Sequence, residues 1–87
     1  MTWDTHILSD CNAAPLFSIS NVRKDITKNC PAWTSSTNTW GILFTVGFNG
    51  STDYPFQLCL GIYSLAIWKR KKDGPSQNWG EWTTSLE

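Results

Sequence analysis

The clearest pattern in the chain runs from Trp40 to Phe48. Trp40, Ile42, Phe44, Val46 and Phe48 take every second position, with Gly41, Leu43, Thr45 and Gly47 between them. Alternation built from aromatic and β-branched residues predicts a strand with one large, buried apolar face. The two glycines on the other side leave room for a segment to approach the backbone. Asn49-Gly50 follows, a pair preferred where a turn needs positive φ. Ser51-Thr52-Asp53 lengthens that turn to a hairpin loop of four or five residues. Tyr54 to Leu60 alternates again, with Tyr54, Phe56, Leu58 and Leu60 on one face. Gly61 interrupts the run, and Ile62 to Arg70 reads as a third strand, with Tyr63, Leu65 and Ile67 opposite Ala66, Trp68 and Arg70. Lys71 to Ser76 is a second turn, because Asp73-Gly74-Pro75 cannot continue a ladder. Asn78 to Thr84 then closes the domain as a last strand.

Ahead of Trp40 the signals are shorter. Leu16 to Ser20 predicts a brief strand with Phe17 and Ile19 inward. Val22, Ile26 and Cys30, four apart, predict one or two helical turns, capped by Ser20 or Asn21 and ended by Asn29-Cys30-Pro31. Trp33 to Thr39 is a Ser/Thr-rich loop. Together these give a mainly β domain: a small antiparallel sheet of four to five strands with two hairpins and at most a short N-terminal helix. With so little helix to cover its apolar face, such a sheet must curl on itself or be covered by another chain.

Composition narrows the partners. Eighty-seven residues make one domain, assigned to 1–85, with Leu86-Glu87 read as a cloning scar. A chain this short buries about 60–65% of its unfolded surface and has little stability to spare. Seven Lys+Arg balance seven Asp+Glu, which argues against a nucleic-acid partner. Lys69-Arg70-Lys71-Lys72 is the one basic run, and a solvated hairpin tip accounts for it. Tyr54 to Trp68 ahead of that run imitates a membrane anchor, but fifteen residues fall short of the ~20 that span a bilayer. Pro55, Gln57, Gly61 and Ser64 within it are strand and turn signals, so no membrane insertion is expected. Cys11, Cys30 and Cys59 are odd in number and lack a CxxC pair, which argues against structural zinc. They read as reduced thiols used as small apolar residues, in keeping with synthesis in a cytoplasm. Met1 to Asn12 has neither the basic start nor the apolar run of a signal peptide. Asn49-Gly50-Ser51 fits the glycosylation pattern, although the turn explains the same residues.

No catalytic constellation emerges. His6 is the single histidine, and Asp4, Asp10, Asp25, Asp53, Asp73 and Glu81 are scattered rather than paired across a cleft. Neither a phosphate-cradling Gly-rich loop nor a nucleophile elbow occurs. The expectation is therefore a non-enzyme with no cofactor and no metal. Six tryptophans are a surplus that calls for a use. Spacing three on a regular strand puts Trp79 and Trp82 on opposite faces, one buried and one exposed. An exposed indole beside Ser, Thr and Asn loops offers a sugar ring a flat apolar face and an N–H donor. Trp33, Trp79, Trp82 and Arg70 are thus the candidate ligand-binding residues; the competing reading is that the rings merely cap a small core.

The order of these features resembles the knob module of phage tail fibres and pyocin-type fibres. The pieces that carry the likeness are Ala14-Pro15-Leu16-Phe17-Ser18-Ile19-Ser20, Asn29-Cys30-Pro31, Trp40-Gly41-Ile42-Leu43-Phe44-Thr45-Val46, Phe56-Gln57-Leu58-Cys59-Leu60, Ile67-Trp68-Lys69-Arg70 and Trp79-Gly80-Glu81-Trp82. They span about nine-tenths of the chain. Leu16 stands where that module usually has Gly, Trp68 where it has Tyr, and Lys69 intrudes before Arg70. The resemblance implies a structural virion component, made in a bacterial cytoplasm, trimeric in its fibre and serving attachment to a bacterial surface through glycans. Two other classes stay in play: a carbohydrate-binding module cut from a larger polysaccharide-active protein, and a small nucleic-acid-binding barrel using Lys69 to Lys72 with neighbouring aromatics.

Overall fold

The computed structural model describes residues 2–31, 40–47, 54–62, 65–72 and 78–84. They form one six-stranded sheet in which neighbours in sequence are neighbours in space: β1 (Thr2–Ile7), β2 (Ser18–Arg23), β3 (Trp40–Gly47), β4 (Pro55–Gly61), β5 (Ile67–Lys71) and β6 (Thr83–Thr84). The domain is mainly β, as the alternation predicts, with one strand beyond the expected five. Only β1 and β2 pair in parallel; the other four pairings are antiparallel.

That parallel pair shapes everything else. Antiparallel neighbours can be joined by a tight turn, but parallel ones need a crossover. Residues 8–17 make it, and they pass over one face of the sheet, as the hydrogen bond from Gln57 Nε2 to the Cys11 carbonyl shows (2.7 Å). A 3-10 turn, Cys11–Ala13, stiffens the crossover, with the Asp10 carboxylate accepting from the Asn12 N–H. The segment after β2 returns alongside it: Cys11 N–H donates to the Lys28 carbonyl and Lys28 N–H to the Ser9 carbonyl. Thr27 is buried here, its hydroxyl donating to the Leu8 carbonyl while accepting from the Arg23 N–H. At the outer edge Asn21 ties β1 down, accepting from the Trp3 indole and donating to the Thr5 carbonyl.

The two sheet faces follow from the register. On the covered face lie the rows Ser20–Leu43–Cys59–Trp68 and Ser18–Thr45–Gln57–Arg70, all buried. The apolar core consists of Cys11, Val22, Leu43, Cys59, Ala66 and Trp68, with Leu8, Ala14, Cys30 and Trp82 packed against it. On the open face lie Ile19–Phe44–Leu58–Lys69, Asn21–Ile42–Leu60–Ile67 and Val46–Phe56–Lys71. These side chains are half-buried or exposed, up to 36% for Leu58 and 46% for Ile67.

Several expectations are corrected here. The alternation of β3 is real, but its buried side is Gly41, Leu43, Thr45 and Gly47, while Trp40, Ile42, Phe44 and Val46 are only half-buried. The crossover covers the side with small and polar residues. Phe17 and Ile19 do not point inward: Phe17 takes φ 59° and is 37% exposed, Ile19 is half-buried, and Ser18, Ser20 and Val22 are the buried residues of β2. Val22 to Cys30 is not helical; Val22 is in β2, and Ile26 is an exposed turn residue whose N–H bonds the Arg23 carbonyl. The third strand begins at Ile67; before it Leu65 N–H donates to the Gly61 carbonyl and Gly61 N–H to the Ala66 carbonyl, with Leu65 at φ 60°. Residues 78–82 are irregular, and only Thr83 and Thr84 pair with β5. Phe48, Asn49 to Asp53, Tyr63, Asp73 to Ser76 and Leu86-Glu87 lie outside the described residues.

Candidate functional site

The site is assembled around Arg70, the residue of the basic run that strand alternation turns inward. Lys69 and Lys71 of β5 face the open side, whereas Arg70 is 8% exposed in phase with Trp68 and Ala66. The run is therefore the body of a strand, not the hairpin tip that the sequence suggests. Taking a guanidinium from water is costly unless its donors are matched. Its Nε–H donates to Gln57 Oε1 at 2.7 Å and an Nη2–H to Asn12 Oδ1 at 2.8 Å. Gln57, fully buried on the neighbouring strand, spends its amide group on the Cys11 carbonyl and the Thr45 hydroxyl. A polar chain thus runs from Thr45 through Gln57 and Arg70 to Asn12, and joins the sheet to its cover.

Two indoles complete the arrangement. The guanidinium carbon lies 4.7 Å from the Trp79 ring centroid and 4.5 Å from that of Trp82, both within cation–π range. The expectation that spacing three separates these rings fails because residues 78–82 are not a strand. Instead Gly80 N–H donates to the Lys71 carbonyl at 2.9 Å, which draws the loop onto β5. A Cβ on Gly80 would sit 3.2 Å from that same oxygen, so a larger residue would push the loop away. Trp82 is also fixed from the far side, its indole N–H donating to the Asn29 carbonyl (2.8 Å). Lys72 approaches the Trp79 ring at 5.0 Å. Of the four candidate residues, Arg70, Trp79 and Trp82 come together; Trp33 lies outside the described residues.

Several depressions adjoin this cluster. A polar one of about 440 Å³ is walled by Asn12, Asn29, Arg70, Lys72, Asn78, Trp79 and Gly80. A shallower one of about 340 Å³ lies beside it at Asn29, Cys30, Trp68, Arg70, Glu81 and Trp82. An apolar one of about 560 Å³ lies along β4 and β5, lined by Phe56 and Leu58 with Lys69, Lys71, Glu81 and Thr83 around them. Sequence reasoning singled out the tryptophans and Arg70 but missed Gln57, Asn12 and Asn29. Gln57 had a visible signal: a polar residue at a strand centre, in phase with Cys59. The asparagines had none, because loop geometry alone brings them to Arg70.

The electrostatics are those of a buried cation. Desolvation pulls Arg70 below its ordinary value, yet an arginine so placed stays protonated. Hydrogen bonds from the Asn29 side chain and the Asn12 N–H hold Asp10 below the usual carboxylate range. All three cysteines are free. Hydrogen bonding to Cys30, then burial, pushes the Cys11 thiol up, and burial does the same for Cys59. Both are protonated at neutral pH and behave as small core residues. Among the described residues no group of three or more His, Cys, Asp or Glu is placed to hold a metal, and no helix is long and apolar enough to cross a membrane.

Comparison with protein-family models, with curated proteins and with solved structures gives no match for this chain.

Proposed function

We propose that this domain is a non-enzymatic structural and adhesive module of a phage or prophage tail fibre. In this reading it is a virion component, made in the bacterial cytoplasm, whose knobs assemble as trimers and attach to glycans of the bacterial surface. The observation that carries the reading is the division of labour between the two sheet faces. One face is closed by its own crossover around Arg70; the other presents Ile19, Ile42, Phe44, Leu58 and Ile67 at a half-exposed surface. A contiguous apolar patch of this kind marks a surface made for another chain. The motifs behind the tail-fibre resemblance also converge: Ile67 to Arg70 and Trp79 to Trp82 meet at the guanidinium.

Sedimentation over a range of concentrations tests the assembly. The expected result is a rise from 9.8 kDa toward three times that mass; a monomer at every concentration contradicts it. Adsorption to bacterial cells tests adhesion: the free domain should slow attachment of phage carrying the parent fibre. The second reading, a carbohydrate-binding module of a polysaccharide-active protein, draws support from the polar cavity at Arg70 and requires a monomer that binds soluble polysaccharide.

A further inference from the structure

We infer that the polar cavity beside Arg70 binds a carboxylate-bearing sugar, a uronic-acid-type unit of a surface glycan; this rests on the adhesive reading above and names its ligand class. The cavity, about 440 Å³, falls within the size range of small-molecule sites, ~300–1,000 Å³. Its walls hold two cations, Arg70 and Lys72, and three side-chain amides, Asn12, Asn29 and Asn78, with no carboxylate among them.

Arg70 points to the acid group. Of its five N–H donors, one on Nε and one on Nη2 are used. The remaining donors, including both on Nη1, have no partner among the described residues. Nor does any carboxylate pair with this 8%-exposed cation among them. Asp10 acts on this cation only through space, and a ligand carboxylate would supply a directly paired charge and the acceptors in the fork geometry that guanidinium prefers. Lys72, on the same wall, makes no ion pair among the described residues.

The amides point to hydroxyls. Each amide carries a donor and an acceptor, the pairing that a ring of alternating O–H groups requires. Asn12 keeps its NH₂ group free of described partners after accepting from Arg70, and Asn78 keeps its whole amide so. Asn29 is held in place by donating to Asp10 at 2.8 Å. Asp10 sits behind this wall rather than in it, and Glu81 lines the adjoining depression; their charge is set against two cations. The Trp79 ring is within cation–π range of both Arg70 and Lys72. Grip here comes from charge and hydrogen bonds.

The test is a ¹⁵N-detected titration of the whole 87-residue chain with D-glucuronate, its methyl ester and glucose 6-phosphate. Glucuronate should shift the Asn12 and Asn78 amides and the Trp79 indole N–H, and should bind at least tenfold more tightly than its uncharged ester. Lys72→Gln, at a partly exposed position, should keep the folded spectrum and weaken glucuronate about fivefold. Equal binding of acid and ester overturns the inference and leaves an adhesive domain that takes neutral sugars. Preference for glucose 6-phosphate over glucuronate overturns the carboxylate assignment in favour of a phosphorylated glycan. No shift with any of the three overturns the site, while cell adsorption decides the adhesive reading separately.

Discussion

The two faces of one sheet are built on opposite rules. The closed face is mostly small and polar, with Ser18, Ser20, Thr45, Gln57 and Arg70 buried beside Val22, Leu43, Cys59 and Trp68. The open face is richer in large apolar residues, yet Ile42, Phe44, Phe56, Leu58 and Leu60 all retain contact with solvent. Hydrophobicity alone would invert the two. What decides between them is topology: the parallel β1–β2 pair sends residues 8–17 across one side. A cover of irregular chain brings unpaired backbone groups that must be met by hydrogen bonds. Gln57 meets one of them at the Cys11 carbonyl, and Arg70 holds the same cover through the Asn12 side chain. The polar interior is the consequence of being roofed by a loop instead of a helix or second sheet.

Truncations at neighbouring positions of β3 and β4 should separate the faces most sharply. Leu43→Ala, at a fully buried site, should cost about 2–5 kcal/mol in urea unfolding. Leu58→Ala on the open face should cost only about 1 kcal/mol in the dilute monomer, where the residue is already 36% exposed. Equal losses would break the distinction. Next in size is Gln57→Leu, which keeps the volume but strips one acceptor from Arg70 and a donor from the Cys11 carbonyl. It should destabilise by about 2–3 kcal/mol, read from the urea midpoint.

A third change acts on assembly more than on folding. Phe44→Ser leaves the closed face intact and should abolish concentration-dependent association in sedimentation while lowering the melting temperature by only a few degrees. The smallest effect concerns acid. Asp10 has a depressed folded pKa, so its contribution to stability is present above the unfolded value, near ~4, and is lost as pH falls through the folded one. Asp10→Asn should therefore remove part of the stability difference between pH 6 and pH 2.5, and thermal melts at both values check it.

Much of the sheet was legible along the chain. Period-2 alternation located β3 and β4, placed Phe56, Leu58 and Leu60 together, and set Arg70 in phase with Ala66 and Trp68. Which face would be covered was not legible, because β1 has no strong apolar alternation and its parallel pairing is a long-range fact. The helical spacing of Val22, Ile26 and Cys30 misled for the same reason: β2 recruits Val22 through pairing with Gly41. At the site, Trp79, Trp82 and Arg70 could be singled out by residue type. Their meeting could not, since it depends on Gly80 anchoring an irregular loop to Lys71.

The division of the sheet can be measured directly by methyl NMR of the dilute domain with a soluble paramagnetic probe. Leu58 and Ile67 methyls should broaden strongly and Leu43 and Val22 methyls hardly at all, with protection of the first pair growing as concentration rises. Broadening of Leu43 and Val22 with Leu58 and Ile67 shielded at every concentration would contradict the account.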